Sequence, residues 1–127
     1  MSCLTVTTDP DGSTGISSLK IDDVIFLESN PKIKDGLIVH TRDKEYFMVG
    51  SLRYWTTVLN NSGYNFSVVD RSNSINVEQI VWLDKLYKVA YFEQELSKRS
   101  KRCTIAFHRY KAVEQELMLV NPTISFA

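Results

Sequence analysis

The sequence predicts a mainly β domain with two short α-helices and antiparallel strand pairing. Three observations carry this expectation. Short apolar runs rich in β-branched and aromatic residues recur along the chain, most connections between them are short, and only two stretches switch to a helical period. Parallel strands would need crossovers of about a dozen residues or more, so short connections imply antiparallel neighbours.

Leu4-Thr5-Val6-Thr7 is the first strand-like run, and Asp9-Pro10-Asp11-Gly12-Ser13 turns the chain with Pro, Asp and Gly. Val24-Ile25-Phe26-Leu27 is next, followed by the loop signal Asn30-Pro31. Leu37-Ile38-Val39 and Tyr46-Phe47-Met48-Val49 flank polar Arg42-Asp43-Lys44-Glu45 and read as a hairpin. Ser51 then caps a helix whose apolar face is Leu52, Trp55, Val58 and Leu59, with Gly63 suited to ending it. Strand-like runs return at Phe66–Val69, Ile80–Leu83, Tyr87–Tyr91 and Thr104–Phe107. A last helix spans Arg109 to Leu119 with Tyr110, Val113, Leu117 and Val120 on one face, and Asn121-Pro122 stops it.

At 127 residues, with 43% hydrophobic and 24% charged, the chain suits one globular domain over 1–127. No apolar run approaches the roughly 18 residues of a membrane span, so no membrane insertion is expected. The start, Met1 to Thr7, lacks the basic and apolar regions of a signal peptide. With Cys3 and Cys103 as its two thiols, the chain reads as reduced and cytoplasmic.

Charge is balanced in total but polarised along the chain. Acidic residues dominate up to Asp84, whereas Lys85, Lys88, Lys98, Arg99, Lys101, Arg102, Arg109 and Lys111 face only Glu93 and Glu95 in the next stretch. A basic block of this kind suits a polyanionic partner or, read plainly, a solvated loop.

Catalytic chemistry finds little support. His40 lies on a strand pattern and His108 at a strand-to-helix junction, neither with a nucleophile at a recognisable spacing. Asp9, Asp11 and Ser13 copy the opening of a calcium loop, but Thr14 stands at the turn-glycine position and Lys20 at that of the closing Glu. The cysteines and histidines lack structural zinc spacings, and no phosphate loop is present, so no cofactor is expected. One segment is unusually equipped: Val69-Asp70-Arg71-Ser72-Asn73-Ser74-Ile75-Asn76 sets a guanidinium, two hydroxyls and two amides between a buried strand and the next apolar run. Arg forks onto guanine or phosphate and Asn pairs with adenine, although Asn and Ser also simply favour turns.

The order of elements resembles the LytTR (LytR/AlgR-type) DNA-binding domain of bacterial response regulators, over about Leu19 to Leu119. Asp22-Asp23-Val24-Ile25-Phe26-Leu27-Glu28-Ser29 is similar to the family's opening strand, and Gly50-Ser51-Leu52 to its helix start. Arg71-Ser72-Asn73-Ser74-Ile75-Asn76 is similar to the diagnostic His-Arg-Ser-Tyr-Leu-Val-Asn, and Thr104 to Tyr110 resembles the closing strand and its Ser-Arg-Arg-Tyr.

The resemblance implies elongated antiparallel β-sheets with flanking helices, and loops rather than a recognition helix in the major groove. It implies a sequence-specific regulator of transcription, without enzymatic activity, that binds double-stranded DNA at repeated promoter sites as two copies. Lys32 and Lys34 in the loop from Asn30 to Gly36, with Arg99, Lys101 and Arg102, would meet phosphates. Arg71, Ser72, Asn73, Asn76, His108 and Arg109 would reach base edges or phosphate. Asp70 replaces the family's His, Asn73 its Tyr, Ser74 an apolar residue and His108 its Arg. An acid at Asp70 would oppose phosphate, which supports an alternative: a degenerate interaction module that modulates a regulatory protein partner. Family members usually follow a phosphoacceptor receiver; a chain starting at Met1 without one is expected to stand alone.

Overall fold

The computed structural model describes residues 2–126 and contains two β-sheets and two α-helices. Strands β1 (Cys3–Thr7), β2 (Ile16–Lys20), β3 (Phe26–Ser29), β4 (Gly36–His40), β5 (Glu45–Val49), β6 (Phe66–Val68) and β7 (Asn73–Asn76) form one sheet. Its spatial order is β2-β1-β5-β4-β3-β7-β6, with every pairing antiparallel. Strands β8 (Trp82–Asp84), β9 (Val89–Tyr91), β10 (Arg102–Thr104) and β11 (Ser125–Phe126) form the second, ordered β10-β9-β8-β11. Helix α1 spans Leu52–Asn61 and α2 Phe107–Val120.

Strand alternation builds two cores from one sheet. Leu27 packs with Val39, Leu37, Leu52 and Leu59 beneath α1, whereas its neighbour Phe26 joins Ile75, Leu83, Phe92, Val113 and Leu117 between the sheet, the second sheet and α2. Adjacent strand residues point to opposite faces, so β3 is buried on both sides. Strand β7 follows suit: Ile75 enters the α2 core, while the hydroxyl of Ser74 accepts a 2.8 Å hydrogen bond from Thr56 Oγ1 of α1.

Several expectations are met at their physical cause. The Ser51 hydroxyl accepts from the amide of Tyr54 at 3.1 Å and so caps α1, and Gly63, at φ +96°, follows its end. Three differ. Strand β2 escapes the sequence pattern because Ile16-Ser17-Ser18-Leu19-Lys20 lies at the sheet edge and buries only Leu19 fully. The stretch from Asn73 to Asn76, read as a turn or contact loop, is a strand between β3 and β6. Phe107, placed in a strand by its apolar run, opens α2 instead. One pairing departs from the antiparallel rule: β11 lies parallel to β8, reached through the crossover that α2 provides.

Cys3 is exposed and Cys103 buried, both free. The Asp9 carboxylate accepts hydrogen bonds from the hydroxyls and amides of Thr14 and Ser13, which hold it well below the usual carboxylate range. It therefore serves as a turn clasp. No helix among the described residues is long and apolar enough to cross a membrane.

Candidate nucleic-acid interface

Two loops and two helix starts converge at one end of the larger sheet. The β3–β4 loop carries exposed Lys32 and Lys34. It is closed by hydrogen bonds from the Asn30 amide to the Gly36 carbonyl at 2.9 Å and from the Lys32 amide to Asn30 Oδ1 at 3.0 Å. The Gly50 amide donates to the Asp35 carbonyl at 2.7 Å, tying this loop to the segment that opens α1. The Ser29 amide donates to the Ser72 carbonyl at 2.8 Å, fixing the β6–β7 loop beside it.

The β6–β7 loop is organised by Asp70. Its carboxylate accepts from the amides of Ser72 and Asn73, both at 2.8 Å, and from the Asn73 side-chain amide at 3.1 and 3.2 Å. This side chain-to-backbone clasp is what Asp does in turns. Arg71 and Ser72 are left exposed at its tip, while Asn73 is half-buried. Helix α2 is joined to the same loop by the Ala106 amide, which donates to the Val69 carbonyl, and by Arg109 Nε, which donates to the Val68 carbonyl, each at 2.9 Å.

An open cleft of about 740 Å³ lies between these parts, lined by Ser51, Leu52, Arg53, Val68, Asp70, Arg71, Ala106, His108 and Arg109. Three guanidinium groups and an imidazole thus share one concavity with the starts of both helices. No side chain caps α2, so its first-turn N–H groups add positive potential there. The arrangement is chemically suited to a polyanion: fixed donors and delocalised cations that fork onto phosphate or onto a guanine edge. Arg53 was not among the sequence-predicted contacts. Its signal was present but indirect, two positions after the cap Ser51 in the first turn of α1.

The structure separates other predicted residues from this cleft. Asn76 is 2% exposed, and its side-chain amide donates to the Val24 carbonyl at 2.9 Å, so it braces the sheet from within. Arg102 is exposed on β10 of the second sheet, outside the cleft lining. Lys101 bonds inward: Nζ donates to the Lys44 carbonyl at 2.6 Å and lies 3.1 Å from His40 Nδ1. His40 ends β4, whose other end at Gly36 meets the Lys32–Lys34 loop. Lys101 therefore lies a strand length, roughly 13 Å, from that loop. Sequence could not show this, because the partner of Lys101 is 61 positions away.

His40 stacks on Phe26 with ring centroids 4.3 Å apart, and its Nε2 sits 2.8 Å from Glu28 Oε1. Because the Lys101 ammonium can only donate, Nδ1 accepts and Nε2 carries the proton toward Glu28. Burial pulls the imidazole pKa below its ordinary 6.5, outweighing the upward pull of Glu28. Between the lowered value and 6.5 the unfolded chain binds more protons than the folded one. The neutral ring therefore supports the fold above pH 6.5 and loses that support as pH falls through the folded value. Denaturant titrations should show wild-type stability falling between pH 7 and 5 more steeply than that of His40→Gln; equal slopes would place the titration elsewhere. Lys101→Ala should cost about 1 kcal/mol of stability and leave DNA affinity unchanged.

A two-sheet β domain with loops and helix starts gathered around clustered guanidinium groups is chemically suited to a nucleic acid. The LytTr DNA-binding domain family matches residues 14–118, and the chain belongs to that family. The resemblance read from Leu19 to Leu119 falls on the matched span in all but its last residue. Among solved structures, the chain is similar to the LytTr DNA-binding domain of a methyl-accepting/DNA response regulator from Bacillus cereus. The TM-score is 0.66 at 18% identity, covering 93% of this chain and 97% of that one, which shows a shared fold. No curated protein matches the chain.

Proposed function

We propose that this protein is a sequence-specific, double-stranded DNA-binding regulator of transcription, one domain acting in the cytoplasm as two copies on a repeated promoter site. The observation that carries this reading is the convergence of Arg53, Arg71, His108 and Arg109 in one cleft, flanked by the Lys32–Lys34 loop. Arg71 and Ser72, at the tip of the Asp70-clasped turn, enter the major groove with the β3–β4 loop. The remaining cations and the helix starts hold phosphates on either side. Asp70 supports rather than opposes this arrangement, because its carboxylate is engaged by four hydrogen bonds within its own loop.

Selection of bound duplexes from a random library, followed by titration of variants on the preferred site, tests the reading. Arg71→Ala should cost about 1–3 kcal/mol on that site, roughly 5- to 150-fold, and far less on random DNA. Equal losses on both would reassign Arg71 to phosphate. An absence of binding at low salt would replace the DNA reading with that of a protein-interaction module.

A further inference from the structure

We propose that Phe107 reads thymine, by packing its ring against the C5-methyl group in the major groove beside the cation cleft. The inference rests on the DNA-binding function proposed above and adds a base preference that none of the polar contacts supplies. Phe107 is the first residue of α2 and is 82% exposed, more than any other aromatic side chain among the described residues. Its chain neighbours Ala106 and His108 both line the cleft, so Phe107 sits beside that lining at the helix start, with its own ring next to Lys88.

The ring is also held. Lys88 Nζ lies 5.1 Å from its centroid and 4.7 Å from that of Tyr110, and donates to the Lys85 carbonyl at 3.1 Å. This ammonium steadies the ring by a cation–π contact and adds a charge next to it. Aligned on Ser-Arg-Arg-Tyr, the segment Phe107-His108-Arg109-Tyr110 carries an exposed phenyl group in place of a small hydroxyl. A phenyl ring has no hydrogen bond to offer a base edge. Of the groups presented in the major groove, only the thymine methyl is apolar, so thymine is the base that such a ring can distinguish.

The test compares the selected duplex with the same sequence synthesised with deoxyuridine at every thymidine, which removes the C5-methyl groups and keeps every base-pairing group. Wild-type protein should lose about fourfold in affinity per contacted methyl, the worth of burying one such carbon. Phe107→Ala should bind both duplexes equally, and Phe107→Leu should keep part of the discrimination. The ring is exposed, so these variants should fold, as circular dichroism will verify. Equal thymine-to-uracil ratios for wild type and Phe107→Ala, or no discrimination by wild type, overturn the proposal while salt-dependent DNA binding stands. If folded wild-type protein binds no duplex at low salt, the function proposed above fails and this inference falls with it.

Discussion

Affinity for duplex DNA should fall about 60- to 1,000-fold between 50 and 200 mM salt, a log–log slope of about −3 to −5. The magnitude follows from which cations remain available at the loop end of the sheet. Lys32 and Lys34 are exposed in one loop, and Arg53 and Arg109 line the cleft. Each phosphate neutralised releases condensed counterion and contributes about −0.9 to the slope. Lys101 adds nothing to the slope because its ammonium is bonded to His40 and the Lys44 carbonyl. Fluorescence anisotropy on a labelled duplex across a salt series measures the slope. A value near zero would remove the cleft from the DNA interface. A slope that becomes shallower in Lys101→Ala would show that this lysine leaves His40 for phosphate.

The largest loss of stability among single truncations in the second core should come from a residue such as Leu117. Its side chain is fully buried with Leu83, Phe92, Ile105 and Val113, and its carbonyl accepts the Asn121 amide at 2.7 Å at the end of α2. Leu117→Ala removes buried methyl groups and leaves a cavity, costing about 2–5 kcal/mol. That is a large share of the roughly 5–15 kcal/mol typical of a whole domain. Thermal melting should show a Tm lower by about 10–20 °C. Because α2 carries Arg109 and His108 to the cleft, DNA binding should disappear over the same temperature range as the helix signal. A shift of only a degree or two would mean that α2 does not pack on the second sheet as described.

Local pattern exposed some of this molecule directly. Ser51 ahead of a 3.6-residue period specified α1, and Asn121-Pro122 specified the end of α2, because capping and chain stiffness act over a few neighbouring residues. The family was equally legible, since its motifs are ordered along the chain from Asp22 to Tyr110. Strand β7 was not. Asn73, Ser74 and Asn76 carry turn chemistry, and they become a buried strand only because β3, β6 and Thr56 of α1 satisfy their polar groups.

The candidate site divides in the same way. The sequence by itself pointed to Arg71, His108 and Arg109 as one set, through the motif spacing of the family it resembles, and predicted the mainly β domain that carries them. Only the tertiary structure decided that Arg53 joins them, that Asp70 clasps a turn, and that Lys101 and Asn76 turn inward. Sequence registers which groups a segment offers. Whether a side chain meets DNA or another part of the protein depends on which distant segments the two cores press together, and that information resides in packing across the fold rather than in any local run of residues.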